Sequence, residues 1–389
     1  MQHLIMNAVV VTPRRVFEGG WLVIEGDRIA AVGDASSCPT GVSDALDARG
    51  LLLLPGLIDL HCDAIEKLVE PRPNVHFELP LALAEADWRL AGCGITTEFH
   101  AVSLDDIELG VRSATFVHEL IEHIRANRTQ LVRHRIHARF EVSSEQGFAR
   151  LLEWAELPEV GMISLMDHTP GQGQYQTADM YRDYLARVTG RSLDEIDELL
   201  ERKRVQMRTA PQRVARVADL ARRTGKALAS HDDDTAERVA SWPGLGVTVS
   251  EFPTTLTAAM HAHNLGLAVC MGAPNVLRGR SSGGNLSALA ALEAGVVDCL
   301  CSDYYPSSML AAVFKIVALG LLPLPQALNL VSLNPARAAG LGDFGALEAG
   351  RIADVALVAA DVERAPRMER LYVGGNLRLT RAEVAPGGC

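Results

Sequence analysis

Aromatic side chains make up only 5% of the 389 residues, and no uninterrupted apolar run reaches the roughly 18 residues that a membrane-spanning helix needs. The start, MQHLIMNAVVVTPRRVF, has no basic segment before its short apolar run, so no secretory leader is indicated. Paired CxxC spacing is also missing. The seven cysteines (Cys38, Cys62, Cys93, Cys270, Cys299, Cys301 and Cys389) are odd in number and scattered, which argues against a disulfide framework or a zinc knuckle. Positive charge is scarce: 37 Lys and Arg stand against 48 Asp and Glu, a formal net charge of -11. That balance disfavours nonspecific binding to nucleic acid or an anionic membrane. A cytoplasmic enzyme acting on a small molecule is expected, alone, as a homo-oligomer or beside other pathway proteins. An anionic substrate would need a local cluster of cations.

What is present is a chain with 48% hydrophobic and 22% charged residues, an aliphatic-rich globular profile. Its length suits a barrel of roughly 250 residues with a smaller module attached. Residues 3–12, 20–25 and 28–33 read as short β runs, with Glu25-Gly26-Asp27 as a turn. After Arg49-Gly50, LLLLPGLIDLH opens a different pattern of apolar strands separated by helical stretches. Strands are expected at the segment ending in His61 and at 94–102, 137–142, 160–168, 227–234, 246–252, 267–274 and 296–303. Helices are expected at 107–127, 211–224, 284–294 and 307–320, with a polar helical insertion at 172–208. Eight strands alternating with helices indicate a (β/α)8 barrel. ADVALV and RLYVGGNL then return to short β runs. The expected organisation is a barrel over 56–343 and a β-sandwich built jointly from 1–55 and 344–389.

Barrel enzymes carry their reactive groups at the C-terminal ends of the strands. The polar residues closing the apolar runs are His61 and Asp63, Glu141, His168, His231 and Asp303. His61 and Asp63 are two apart and in an extended segment would face one side. An isolated HxD is more often a capping Asp beside a solvated His, but its company here favours ligation. His137, Arg139 and Glu141 share one strand face; Glu141 could be a surface carboxylate, and His168 an imidazole satisfied by a turn. His231 opens HDDDT, where Asp232, Asp233 and Asp234 are read as carboxylates that orient it. Asp303 could instead cap the helix beginning near Ser307. Cys62, between His61 and Asp63, should turn away from them.

Three imidazoles and three carboxylates suit one or two divalent ions such as Zn, Mn or Fe. Two ions with three carboxylates and a hydroxide would be close to neutral, and such a centre makes hydroxide available near pH 7, because it lowers the pKa of bound water to about 7. A second set of residues, GAPNVLRGRSSGGNLSA followed by SDYYPSS, offers Arg278, Arg280, Ser281, Ser282, Asn285 and Tyr304 for anion binding, with backbone amides leading into a helix. An ordinary flexible Gly-Ser loop is the plainer reading of it. Lys67 and Arg72 follow the first ligand pair and could add phosphate contacts or only be solvated.

LLPGLIDLH and NPARAAGLGDFGALEAGRIADVALV resemble the opening and closing signatures of the amidohydrolase superfamily. HCDAIEKLVEPRPNV, SLMDHTPGQGQY, SHDDDT, EFPTTLTAA and SDYYPSSML resemble one subgroup, the PhnM-type α-D-ribose 1-methylphosphonate 5-triphosphate diphosphatases of phosphonate metabolism. The resemblance implies cleavage of a ribosyl 5-triphosphate into the 5-phosphate and pyrophosphate. It also implies ligation by His61, Asp63, Glu141, His168, His231 and Asp303, with Asp63 in place of a second histidine. No lysine stands where a carbamylated bridge is expected, which leaves Glu141 as the bridge; in the expected mechanism Asp303 holds a metal-bound hydroxide and moves its proton. Phe99-His100-Ala101, Cys62 and the arginine-rich tail depart from the subgroup. The rivals are a cyclic amide hydrolase, amidase or deaminase, and a noncatalytic barrel serving as a complex subunit.

Overall fold

The structure is a computed structural model. It describes residues 2–106, 111–127, 130–168, 179, 182–183, 185–186, 190–281, 284–360 and 366–381. In chain order the strands are β1 (Gln2–Val11), β2 (Val16–Glu25), β3 (Arg28–Gly33), β4 (Ala45–Asp47), β5 (Leu52–Pro55), β6 (Leu57–Cys62), β7 (Ile95–Leu104), β8 (Arg133–Glu141), β9 (Val160–Met166), β10 (Ala227–His231), β11 (Val249–Glu251), β12 (Ala268–Gly272), β13 (Cys299–Cys301), β14 (Val355–Ala359), β15 (Arg367–Val373) and β16 (Asn376–Thr380).

Strands β6 to β13 lie side by side in sequence order, all parallel, as a nearly closed barrel. Ile58, Leu60, Phe99, Met162, Ala229, Val249 and Cys270 fill its interior. The opposite strand faces, among them Ile95, Val102, Ile136, Phe140, Ile163 and Val269, pack under the helices. That two-sided burial is why these strands read as continuous apolar runs. The seam between β13 and β6 is closed in two ways. Low in the barrel, Ile58 N–H donates to the Val331 carbonyl at 2.9 Å and Leu300 N–H to the Leu330 carbonyl at 2.7 Å. At the top, Asp303 N–H donates to the His61 carbonyl (2.9 Å) and Asp63 N–H to the Asp303 carbonyl (2.8 Å).

Both chain ends enter a second sheet, β16-β15-β14-β5-β1-β2-β3 with β4 beside β1, antiparallel except where β1 meets β4 and β5. Bulges interrupt β1 near Ile5, Ala8 and Val10. Residues from both ends (Ile5, Val10, Leu22, Ile29, Leu53, Val355 and Leu357) share one apolar cluster. Gly56 is the hinge between the sheets. A Cβ there would lie 2.4 Å from the Thr96 side chain, so only glycine lets the chain pass.

Helices expected at 284–294 and 307–320 shorten to Ala288–Glu293 and Ser308–Ala318, whereas the one expected at 211–224 is found as Ala210–Thr224. Ser113 accepts from Phe116 N–H and starts the helix Ala114–Ala126, and residues 107–110 of that expected helix lie outside the described ones. Gly225, at φ 65°, ends Ala210–Thr224. In the insertion, Ser192 and Glu195 form a capping box on Leu193–Gln206, while 169–178 lie outside the described residues. Among the described residues no helix is long and apolar enough to cross a membrane.

The sheet and the barrel are tied by Asp354. Its buried carboxylate accepts from Arg133 at 2.6 Å and from Gly374 N–H at 2.8 Å, and its carbonyl accepts from Gly56 N–H at 2.9 Å. Removing one partner of such a pair strands the other. Asp354→Ala is expected to lower the unfolding free energy by about 2–3 kcal/mol in urea titration, on the scale of a lost charged hydrogen bond.

Candidate metal centre

A cavity of about 240 Å³ opens at the C-terminal end of the barrel, and His61, Asp63, His231 and Asp303 all line it. So do Arg278, Ser281, Asn285 and Tyr304. Strand ends thus converge as barrel geometry requires. His61 closes β6 after a bulge between Asp59 and Cys62. Its Nδ1 lies 3.2 Å from Glu251 Oε1, and its ring stands edge-on to His137 (centroids 5.3 Å apart). Burial, reinforced by the charge of Arg139, holds its pKa well below the usual histidine value. Asp63 lies just past the strand and is 3.4 Å from Arg112, which also binds Glu66 at 2.8 Å.

Three non-glycine residues here, Asp232 (φ 55°), Phe252 (φ 51°) and Asp303 (φ 59°), take the left-handed backbone that costs most side chains energy. Each follows a barrel strand and turns the chain sharply at the rim. Asp303 is pushed up to about 6, chiefly by burial and then by the nearby Asp63. A cation brought close acts in the opposite direction.

His231 closes β10, and neither ring nitrogen makes a hydrogen bond. Asp232 Oδ2 lies 3.2 Å from its Nδ1 and 4.0 Å from His168 Nε2. His168 in turn meets Glu141 at 2.9 Å through Nδ1. Burial works against the Glu141 carboxylate, but Lys203 and His168 outweigh it and hold the pKa at about 2. The second Glu141 oxygen accepts from Ser143 at 3.1 Å. Both oxygens are therefore engaged on the His168 side, and Glu141 is not among the ligand-type residues gathered around His61. The carboxylate that meets His61 is Glu251, at the end of β11, fully buried between His61 and His137.

Asp232 likewise differs from expectation. It stands within ligand distance of His168 and His231, whereas Asp233 does the orienting: it accepts from Ser230, from Ser250 at 2.7 Å and from Trp242 Nε1 at 2.8 Å. Asp234 lines a neighbouring groove with Arg238 and Trp242. Cys62 points behind the strands toward Asp59 and Glu98.

The anion loop is only partly assembled. Arg278, Ser281 and Asn285 reach the cavity, Arg280 is exposed outside it, and Ser282 lies outside the described residues. The helix after this loop is only Ala288–Glu293, and its first amide is taken by Asn275 Oδ1 at 3.2 Å. The expected helix-terminus contribution is therefore occupied by the protein itself. Lys67 and Arg72 are exposed and do not line the cavity.

Two ligand-type groups overlap here, His61 with His231 and Glu251, and His168 with His231 and Asp232. Buried nitrogen and oxygen atoms without hydrogen bonds, on His231, His137 and Glu251, suit a divalent ion of borderline hardness.

Residues 245–378 match the model of the amidohydrolase family. The chain is 34% identical to the α-D-ribose 1-methylphosphonate 5-triphosphate diphosphatase of Escherichia coli (strain K12), over 91% of its own length and 94% of that protein. The chain belongs to the amidohydrolase superfamily, in its PhnM-type group. Among solved folds, 5-methylcytosine deaminase from Klebsiella pneumoniae superposes with a TM-score of 0.65 at 16% identity, covering 99% of both chains. N-acetylglucosamine-6-phosphate deacetylase from Pasteurella multocida gives 0.63 at 14% identity, covering 97% of this chain and 99% of that one. At those identities they speak for the fold alone.

This PhnM-type chain is therefore a hydrolase. Glu251 was missed in sequence although it closes GVTVSE as a polar residue after an apolar run, the same signal that marked the others. Arg139, also on the cavity wall, carried only the weaker signal of sharing a strand face with Glu141.

With His231 proposed as a ligand common to both groups, His231→Ala is expected to lower divalent-ion content per chain by half or more in elemental analysis. The far-ultraviolet circular dichroism should not change. His231→Ala protein that retains the full ion content would remove His231 from the ligand set.

Proposed function

We propose that the protein hydrolyses a ribosyl 5-triphosphate, α-D-ribose 1-methylphosphonate 5-triphosphate, to the 5-phosphate and pyrophosphate. The observation that carries this reading is the full-length similarity to the Escherichia coli diphosphatase. The cavity supports it, since Arg278, Ser281 and Asn285 open onto the same space as His61 and Asp303.

His61, Asp63, His168, His231, Asp232 and Glu251 are proposed to hold one or two divalent ions. Such ions supply Lewis acidity and lower the pKa of water. Asp303 is proposed to orient the attacking water and take its proton, a task suited to a carboxyl whose pKa burial has raised toward neutrality. Glu141, fixed as an anion, holds His168 by a hydrogen bond to Nδ1 and leaves Nε2 facing Asp232. Arg278 and the Ser281 and Asn285 side chains would meet the phosphates that leave as pyrophosphate. Positioned donors of this kind act where charge grows on phosphoryl oxygens.

The test is phosphorus NMR of the products formed from ribosyl and nucleoside 5-triphosphates in oxygen-18 water. The expected products are pyrophosphate and a 5-monophosphate. Orthophosphate as the sole product, or turnover of cyclic amides with no triphosphate consumed, defeats the reading. Asp303→Asn should lower kcat by about 10²–10⁴-fold, the range of a lost general base. Arg278→Ala should mainly raise KM for the triphosphate.

A further inference from the structure

Arg139 is the anomaly of this centre. It belongs to β8, whose inward-facing residues include His137 and Glu141, and its side chain lines the cavity floor with His61, His231 and Asp303. It is 8% exposed, its Nε makes no hydrogen bond, and no ion pair or hydrogen bond joins its guanidinium to a described residue. Other arginines near the barrel mouth are tied down. Arg112 binds Glu66 and Asp63, and Arg213 donates to the carbonyls of Val142, Ser143 and Gln206.

Only its Nε is sealed from solvent without a partner, which costs energy, while the rest of the guanidinium opens onto the cavity, where a ligand can meet it. Asp232 and Asp303 attract Arg139 through space, but neither makes an ion pair with it. Asp63, Asp232, Glu251 and Asp303 face a space suited to divalent ions, and any ion bound there would repel the guanidinium further. An anion that enters with the substrate is the partner that suits a guanidinium open to this cavity. A guanidinium is planar, keeps its charge, and presents paired N–H donors that match two oxygens of one tetrahedral oxyanion. Arg278, exposed at the rim, can attract an anion into the cavity.

We propose that Arg139 is the floor of an oxyanion subsite and donates to two nonbridging oxygens of the phosphoryl group at the reacting centre. This rests on the triphosphate reading above and deepens it. A phosphoryl group offers the guanidinium two nonbridging oxygens at once, where an amide carbonyl offers one.

The test measures inorganic pyrophosphate binding to the metal-loaded protein by titration calorimetry, for wild type, R139M and R139K, with metal content determined alongside. R139M is expected to bind about 10- to 100-fold more weakly, the range of a lost charged hydrogen bond. R139K should recover part of the loss, and ion content should stay at the wild-type level. If R139M does not fold, R139K decides: a loss of about threefold or more supports the bidentate contact, and wild-type affinity overturns it. R139M affinity within about threefold of wild type, or loss of metal in both variants, also overturns the proposal. The two readings fail separately. A wild-type protein that turns over no triphosphate while R139M still loses pyrophosphate affinity defeats the reaction and keeps the subsite. Normal triphosphate turnover with unchanged anion affinity in R139M does the reverse.

Discussion

The backbone hydrogen bonds between the end of β6 and Asp303 are the constraint on which the centre depends. They close the barrel where its first and last strands meet, and they run through His61, Asp63 and Asp303 themselves. Asp59 reinforces the seam from behind: its Oδ1 accepts from Ser302 N–H at 2.9 Å and from His61 N–H at 3.3 Å. Lower down, residues 330 and 331 complete the pairing that β13, only three residues long, leaves open. A short strand closed by side chain and loop brings Asp303 to within one hydrogen bond of His61. The distance between these two residues is therefore set by backbone and not by flexible side chains, which is what a precise polar site needs.

A second set of fixed groups holds the opposite wall. Asp233 binds hydroxyls on both β10 and β11, so the strands carrying His231 and Glu251 keep their register. Arg213 clamps the carbonyls after β8, next to Glu141. Glu141, His168, Lys203 and Asp105 form an ionic group that joins the centre through His168, with Lys203 Nζ 3.0 Å from Asp105. These contacts are largely satisfied. Among the buried polar atoms without a partner, those on His231, His137, Arg139 and Glu251 lie in or beside the candidate centre. Ligands that satisfy them bind only the folded state and so add to its stability.

All eight barrel strands were legible because burial on both faces produces apolar runs, and the ligand candidates because each run stops at a polar residue. His61, Asp63, His231 and Asp303 were found in this way and share the cavity. Helix ends were less legible, since a single cap such as Ser113 overrides a long apolar periodicity. The exchange of Glu141 for Glu251 beside His61 could not be read from spacing. Both residues close strands, and only the barrel's curvature decides which carboxylate meets His61. Arg280 and Ser281 are neighbours in sequence, yet only Ser281 faces the cavity. Loop direction of that kind has no period from which to infer it.

Charge gives the last step. Sequence alone counted three carboxylates, Asp63, Glu141 and Asp303, against two divalent ions. Glu141 lies in an ionic group with His168, Lys203 and Asp105, and the carboxylates grouped with His231 are Asp232 and Glu251. Four carboxylates carry one negative charge more than the sequence count, so two divalent ions alone would leave the centre neutral. Arg139 cancels that extra charge. The net charge of the wall is again minus three, so a pair of divalent ions brings it to plus one. The guanidinium thus permits a fourth carboxylate at the centre without closing the centre to anions. An apolar residue at position 139 would keep the carboxylates and lose that tolerance.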